Sequence, residues 1–113
     1  MHNSSPRIAK VERLIQKDLS EMFQQYAKDW TKGILISVSS VRLSPDMGLA
    51  KVYLSVFPSN KADDILNQIN SIKKDVRYQL GQRVKNQLRR VPELSFYVDD
   101  SLDYIEKIDK LLK

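Results

Sequence analysis

The side chains of this sequence best suited to chemistry are cations, and they are clustered. Residues 73–91 hold Lys73, Lys74, Arg77, Arg83, Lys85, Arg89 and Arg90 against one acid, Asp75. This stretch carries a net +6, more than the +5 of the whole chain. Residues 92–113 run the other way, with six acids and three lysines. A localised basic stripe favours an anionic partner, most often nucleic acid. Tyr78 lies inside the stripe and adds a ring on which a base could stack. The i,i+4 Glu–Lys pairs that mark a purely solubilising helix face are missing here, although a solvated face remains the competing reading.

Other chemistries are poorly supplied. There is no cysteine, which removes disulfides, thiolate nucleophiles and Cys-ligated zinc together. The single histidine, His2, reads as a tail residue rather than a base or ligand. Asp63-Asp64 and Asp99-Asp100 suit a helix start and a strand-to-helix turn, where carboxylates meet free amides. Neither pair comes with a His or Cys set, so no metal is expected. No G-x-S-x-G, P-loop or dinucleotide fingerprint occurs. Trp30 reads as a core plug or loop anchor. The expectation is a protein without catalysis and without cofactors. The N-terminus is polar, and the longest aliphatic run is only Ile34-Leu35-Ile36. No signal peptide and no membrane span are expected, which suggests a cytoplasmic monomer.

The elements that must carry these cations follow from hydrophobic spacing. With 42% hydrophobic residues, the 113-residue chain has material for one core. Ser5 suits an N-cap and Pro6 a first helical position. Ile8, Val11, Leu14, Ile15, Leu19, Met22, Phe23 and Tyr26 then form one stripe, predicting a helix over 6–28 whose other face alternates in sign and is simply solvated. A strand follows Gly33, and its phase shifts near Ser39-Ser40, which predicts a bulge. Ser44-Pro45-Asp46-Met47-Gly48 is a turn by composition. Ala50, Val52, Leu54 and Val56 alternate in a second strand, most simply paired with the first as a hairpin.

After Pro58-Ser59-Asn60, the set Ile65, Ile69, Ile72, Val76, Leu80, Val84 and Leu88 makes one helical seam over about 62–89. Asn70-Ser71 compete for backbone hydrogen bonds inside it and predict a kink, so two helices are expected. Val91-Pro92 stops the second. Leu94, Phe96 and Val98 make a third strand, and Ser101 opens a last amphipathic helix over 101–112. The order is α-β-β-α-(kink)-α-β with a C-terminal helix, an α+β single domain with a core over about 6–98. On a helical wheel of about 100° per residue, Lys74, Tyr78, Lys85 and Arg89 surround Gly81, while Arg83 and Arg90 flank the opposite edge of the seam. A glycine there would let a phosphodiester approach, or would serve close packing instead.

Four segments, in order, carry a resemblance to a known family. They are Val11-Glu12-Arg13-Leu14-Ile15-Gln16-Lys17-Asp18-Leu19; the run from Val41-Arg42-Leu43-Ser44-Pro45-Asp46 through Ala50-Lys51-Val52-Tyr53-Leu54-Ser55; Val76-Arg77-Tyr78-Gln79-Leu80-Gly81-Gln82-Arg83-Val84; and Val91-Pro92-Glu93-Leu94-Ser95-Phe96 with Asp99-Asp100-Ser101 and Ile105-Glu106-Lys107-Ile108. The chain resembles the ribosome-binding factor A family. The resemblance implies a type II KH-like domain with a mixed three-stranded sheet. It further implies binding to the free small (30S) ribosomal subunit and 16S rRNA, and help in late 16S rRNA maturation. The basic helix after the kink, with Lys73, Lys74, Arg77, Tyr78, Gly81, Arg83, Lys85, Arg89 and Arg90, would meet RNA. The chain departs from the pattern in three ways. It has no Gly-x-x-Gly loop. No glycine lies between Gly48 and Gly81, where the family usually has an Ala-x-Gly kink, so residues near 70–72 must make the bend. The stretch from Lys85 to Arg90 is about two residues longer than usual. The alternative from another class is a protein-interaction module using the acidic C-terminal helix around Tyr104.

Overall fold

The computed structural model describes residues 6–30 and 33–99. Helix α1 spans Pro6–Trp30, strand β1 Leu35–Leu43 and strand β2 Leu49–Phe57. A short 3-10 turn at Ser59–Lys61 leads into α2 (Ala62–Ser71), then α3 (Lys73–Val84) and strand β3 (Glu93–Val98). This is the expected order of elements, in an α+β, type II KH-like arrangement. The expectations for His2, the Ser5 cap and the helix over 101–112 fall outside the described residues.

β1 and β2 form an antiparallel hairpin, and β3 runs parallel to β2 on its other side. One face of this mixed sheet is apolar, as period-2 alternation requires. Ile36, Val38, Val41 and Leu43 of β1, Ala50, Val52, Leu54 and Val56 of β2, and Leu94 and Phe96 of β3 are all buried. α1 covers this face with Ile15, Leu19, Met22 and Phe23, and the Phe23 ring meets Phe96 edge-on at 5.8 Å between centroids. α2 adds Ile65 and Ile69, and α3 adds Val76, Leu80 and Val84. Trp30 is half-buried, packs against the core and stacks on Tyr26 at 5.4 Å, which fits the first of its two readings, a core plug. On the opposite sheet face no described element packs, with Leu35 and Phe57 exposed and Tyr53 stacked on Tyr97.

The predicted bulge lies where the register shifts, between Val38 and Ser40. An extra residue leaves strand carbonyls without ladder partners. The Gln16 amide on α1 donates to the Val38 and Ser39 carbonyls at 3.1 and 3.2 Å, and the Ser39 hydroxyl donates to the Tyr53 carbonyl. Glu12, one turn earlier, accepts the Leu43 amide at 2.8 Å. So α1 is pinned to β1 by polar side chains as well as by its apolar stripe. Gly33, at φ +85°, supplies the left-handed residue that turns the chain from α1 into β1.

The bend between α2 and α3 falls at Ile72, with φ −113° and ψ 19°. No glycine is needed for this conformation. The Ser71 hydroxyl bonds back to the Gln68 carbonyl at 2.6 Å, and Ile72 donates to Ile69 in a tighter turn. The expectation of two helices around residues 70–72 therefore holds. The expected end of the second helix does not. α3 stops at Val84 rather than continuing to Arg89. The Val84 carbonyl accepts the amides of both Gln87 and Leu88, and the chain reverses. The cause is tertiary: β3 must start beside Gly48, whose carbonyl accepts the Glu93 amide at 2.9 Å. A helix run on to Arg89 would carry Pro92 roughly a further 7 Å along its axis at about 1.5 Å per residue, away from that pairing.

Candidate nucleic-acid interface

The early end of α3 divides the basic segment into three groups with different surroundings. The first lies along α3 itself. Lys73, Lys74, Tyr78, Gly81 and Gln82 line a shallow groove of about 650 Å³ closed on its far side by Val91 and Glu93. Lys73 and Lys74 are exposed, and Tyr78 is 62% exposed. Lys85 follows one turn after Gly81 with helical φ and ψ, also exposed. Among the described residues none of these three lysines forms a salt bridge. This is a short cationic line with an aromatic plate in its middle. It suits phosphate contact plus base or sugar stacking.

The second group is structural in its contacts. Arg77 also lines the groove, but its guanidinium turns to the return segment. Nε donates to the Pro92 carbonyl at 3.1 Å and Nη2 to the Val91 carbonyl at 2.7 Å. A looser pair with Glu93 stands at 3.8 Å. Arg83 points to α1, where Nη1 meets Asp18 at 3.1 Å and Glu21 at 2.7 Å. The hydrogen bond to Glu21, and then the one to Asp18, raise its pKa further. Arg83 thus locks α3 onto α1. Nearby, burial first and Asp75 second raise the Tyr26 hydroxyl pKa.

The third group has left α3 altogether. Arg89 and Arg90 lie in the bend after the helix, exposed, and line a separate cleft with Arg7 and Lys10 of α1. The wheel that put Arg89 beside Gly81 is corrected here, since a wheel holds only while the helix continues. Arg7 and Lys10 were missed by the sequence reading because the outer face of α1 alternates in sign and looks merely solvated. The signal was present in their i,i+3 spacing, but their partners lie some eighty residues away in the chain.

Gly81 is not an open gap. A Cβ built on it would stand 3.2 Å from Val91 Cγ2, so the glycine makes room for the return segment. Its packing role, one of the two readings above, is the one the geometry favours. Asp46 orders the β1–β2 turn: its Oδ1 accepts the Ser44 hydroxyl at 2.6 Å and the Gly48 amide at 3.0 Å. The Ser44 hydrogen bond, then that of Gly48, hold the Asp46 carboxyl below the usual carboxylate range, with a smaller contribution from Arg90.

Among the described residues no group of three or more His, Cys, Asp or Glu side chains could hold a metal ion. No helix among them is long and apolar enough to cross a membrane.

Comparison with known proteins agrees with this architecture. The profile of the family described as Ribosome-binding factor A matches residues 7–112. A Ribosome-binding factor A of Flavobacterium psychrophilum is 50% identical over 107 residues, covering 94% of this chain and 82% of that protein. The Christiangramia forsetii protein of the same name is 44% identical over 108 residues, covering 95% and 82%. The crystal structure of ribosome-binding factor A from Thermus thermophilus superposes with a TM-score of 0.66 at 27% identity, covering 80% of this chain and 94% of that one. The overall fold is thus shared with a solved relative, and the chain belongs to the Ribosome-binding factor A family.

Proposed function

We propose that this protein is a non-catalytic assembly factor that binds the free small ribosomal subunit by laying the α3 face on 16S rRNA, and so assists late maturation of that RNA in the cytoplasm. Membership of a ribosome-binding family supports the ribosomal target. The choice of the small subunit and of its maturation follows the resemblance carried by the four sequence segments. The observation that carries the RNA-contact surface is the line Lys73, Lys74, Tyr78 and Lys85, exposed and free of salt bridges among the described residues. Arg77 and Arg83 support that surface from behind, because their guanidinium groups already have protein acceptors. Residues 6–98 act as one unit in this reading, and the protein works as a monomer.

The test is co-sedimentation with separated ribosomal subunits across a salt series. Each phosphate contact contributes roughly 0.7–0.9 to the slope of log K against log salt. The triple variant Lys73→Glu, Lys74→Glu, Lys85→Glu is expected to lower that slope by roughly 2–3 and to abolish small-subunit binding near physiological salt. Tyr78→Ala is expected to weaken binding by roughly 1–3 kcal/mol with the slope unchanged. Binding of the triple variant at the wild-type level would refute the assignment of this surface.

A further inference from the structure

The cleft that receives Arg89 and Arg90 is built unlike the α3 groove. It lies between the first turns of α1, the β1–β2 turn and the bend after α3, with a volume of about 720 Å³. Its floor is apolar: Val11, Leu14, Met47 and Leu88 are half-buried and packed against the core. Its rim is cationic: Arg7, Lys10, Arg89 and Arg90, against the single acid Asp46. Asp46 already spends Oδ1 on Ser44 and Gly48. Arg7, Lys10, Arg89 and Arg90 form no salt bridge among the described residues.

An apolar floor under a guanidinium-rich rim selects a ligand with one apolar face and one anionic group. We propose that this cleft holds one unpaired nucleotide of an RNA strand, its base on the Leu14–Leu88 floor and its phosphate between Arg89, Arg90 and Lys10. The volume lies within the usual range for small-ligand sites, about 300–1,000 Å³, and so admits a single nucleotide. A duplex would present only phosphates here and leave the floor uncovered, whereas splayed-out bases of single-stranded RNA are what proteins bind by stacking and edge contacts. Three of the four rim cations are arginines, whose planar groups both stack on bases and clamp phosphate bidentately. An acidic peptide would match the charge but make less use of those planes. The proposal rests on the RNA-binding reading above and adds a second, chemically different contact to it.

The experiment is an NMR titration of the full chain, with methyl groups labelled, using a single-stranded RNA tetramer, a blunt RNA duplex and a hexaglutamate peptide. The tetramer is expected to shift the methyls of Val11, Leu14, Met47 and Leu88, and the duplex to leave them in place. Arg89→Ala with Arg90→Ala should weaken tetramer binding at least tenfold. Arg89→Lys with Arg90→Lys should recover only part of it, since charge returns without the plane. Hexaglutamate binding as tightly as the tetramer, or tetramer binding unchanged in the alanine pair, would overturn the proposal. Neither result depends on small-subunit co-sedimentation, so the α3 reading stands or falls separately through its own lysine variant.

Discussion

Replacing Arg77 by alanine removes the side-chain hydrogen bonds that tie the return segment to α3. Two charge-assisted hydrogen bonds are lost, to the carbonyls of Pro92 at 3.1 Å and Val91 at 2.7 Å. Bonds with a charged partner contribute roughly 1.5–3 kcal/mol each when well buried. The Arg77 side chain is 39% exposed, so water recovers part of that, and about 1 kcal/mol each is the appropriate scale. Pro92 is itself fully buried, which limits how well water can reach its carbonyl in the variant. The expected loss is therefore about 2 kcal/mol, or a fall in Tm of roughly 8–12 °C for a domain of this size. The Glu93 pair at 3.8 Å contributes little, because exposed ion pairs are worth roughly 0–1 kcal/mol. Glu93→Gln is thus the control and should be nearly silent. Arg77→Lys should restore less than half, since one ammonium cannot reproduce a planar two-nitrogen clamp. Urea denaturation followed by circular dichroism reads all three. A loss below about 0.5 kcal/mol for Arg77→Ala, or an equal loss for Glu93→Gln, would refute the clamp and assign Arg77 back to a free surface cation.

Arg83→Ala should destabilise by about 1–2 kcal/mol, since it leaves the largely shielded Asp18 beside Glu21 without a cation, yet the salt slope of RNA binding should not move; a changed slope would make Arg83 an RNA contact. At Gly81, alanine gains about 1 kcal/mol of helix propensity but crowds Val91 at 3.2 Å, so it should be nearly neutral, whereas Gly81→Val should lose at least 2 kcal/mol in the same denaturation assay. The lowered Asp46 pKa fixes the sign of an acid effect: its contribution to the turn is complete above the unfolded carboxylate value of about 3.9 and is lost as pH falls through the lower folded value. Amide exchange at Gly48 should accelerate in that acid window, and Asp46→Asn should make it largely independent of pH there.

Much of the fold was legible because its signals are local. The stripe from Ile8 to Tyr26 has one period throughout and became α1 (Pro6–Trp30). The change of phase at Ser39-Ser40 marked a bulge because a slip of one residue would otherwise turn Val41 and Leu43 outwards. The bend near Ile72 was legible from Asn70-Ser71, whose side chains compete with the helix ladder. The end of α3 was not. Leu88 stands four residues after Val84, at helical spacing, and it does pack on the core. It does so from a bend rather than from a helix, and spacing alone does not separate the two. The residues that settle the matter are distant in sequence: the Gly48 carbonyl that seats Glu93, and the Gly81 surface that receives Val91.

That reversal decides how the charge is used. Had α3 run on to Arg89, Lys74, Lys85 and Arg89 would lie on one face of a single rod around Gly81 and meet one phosphate backbone together. The turn at residues 85–88 instead leaves Lys73, Lys74 and Tyr78 on α3 with Lys85 at its C-cap, while Arg77 and Arg83 bond to acceptors within the domain, and it hands Arg89 and Arg90 to the N-terminal turns of α1. The two proposed RNA-contact sites, of different character, then sit on either side of one loop that the Arg77 clamp holds to α3. A perturbation of that clamp should therefore weaken both sites together, while the lysine variant and the Arg89–Arg90 variant should each weaken one. Their effects on binding should add if the two sites are energetically independent, and the departure from additivity measures how stiffly the loop couples them.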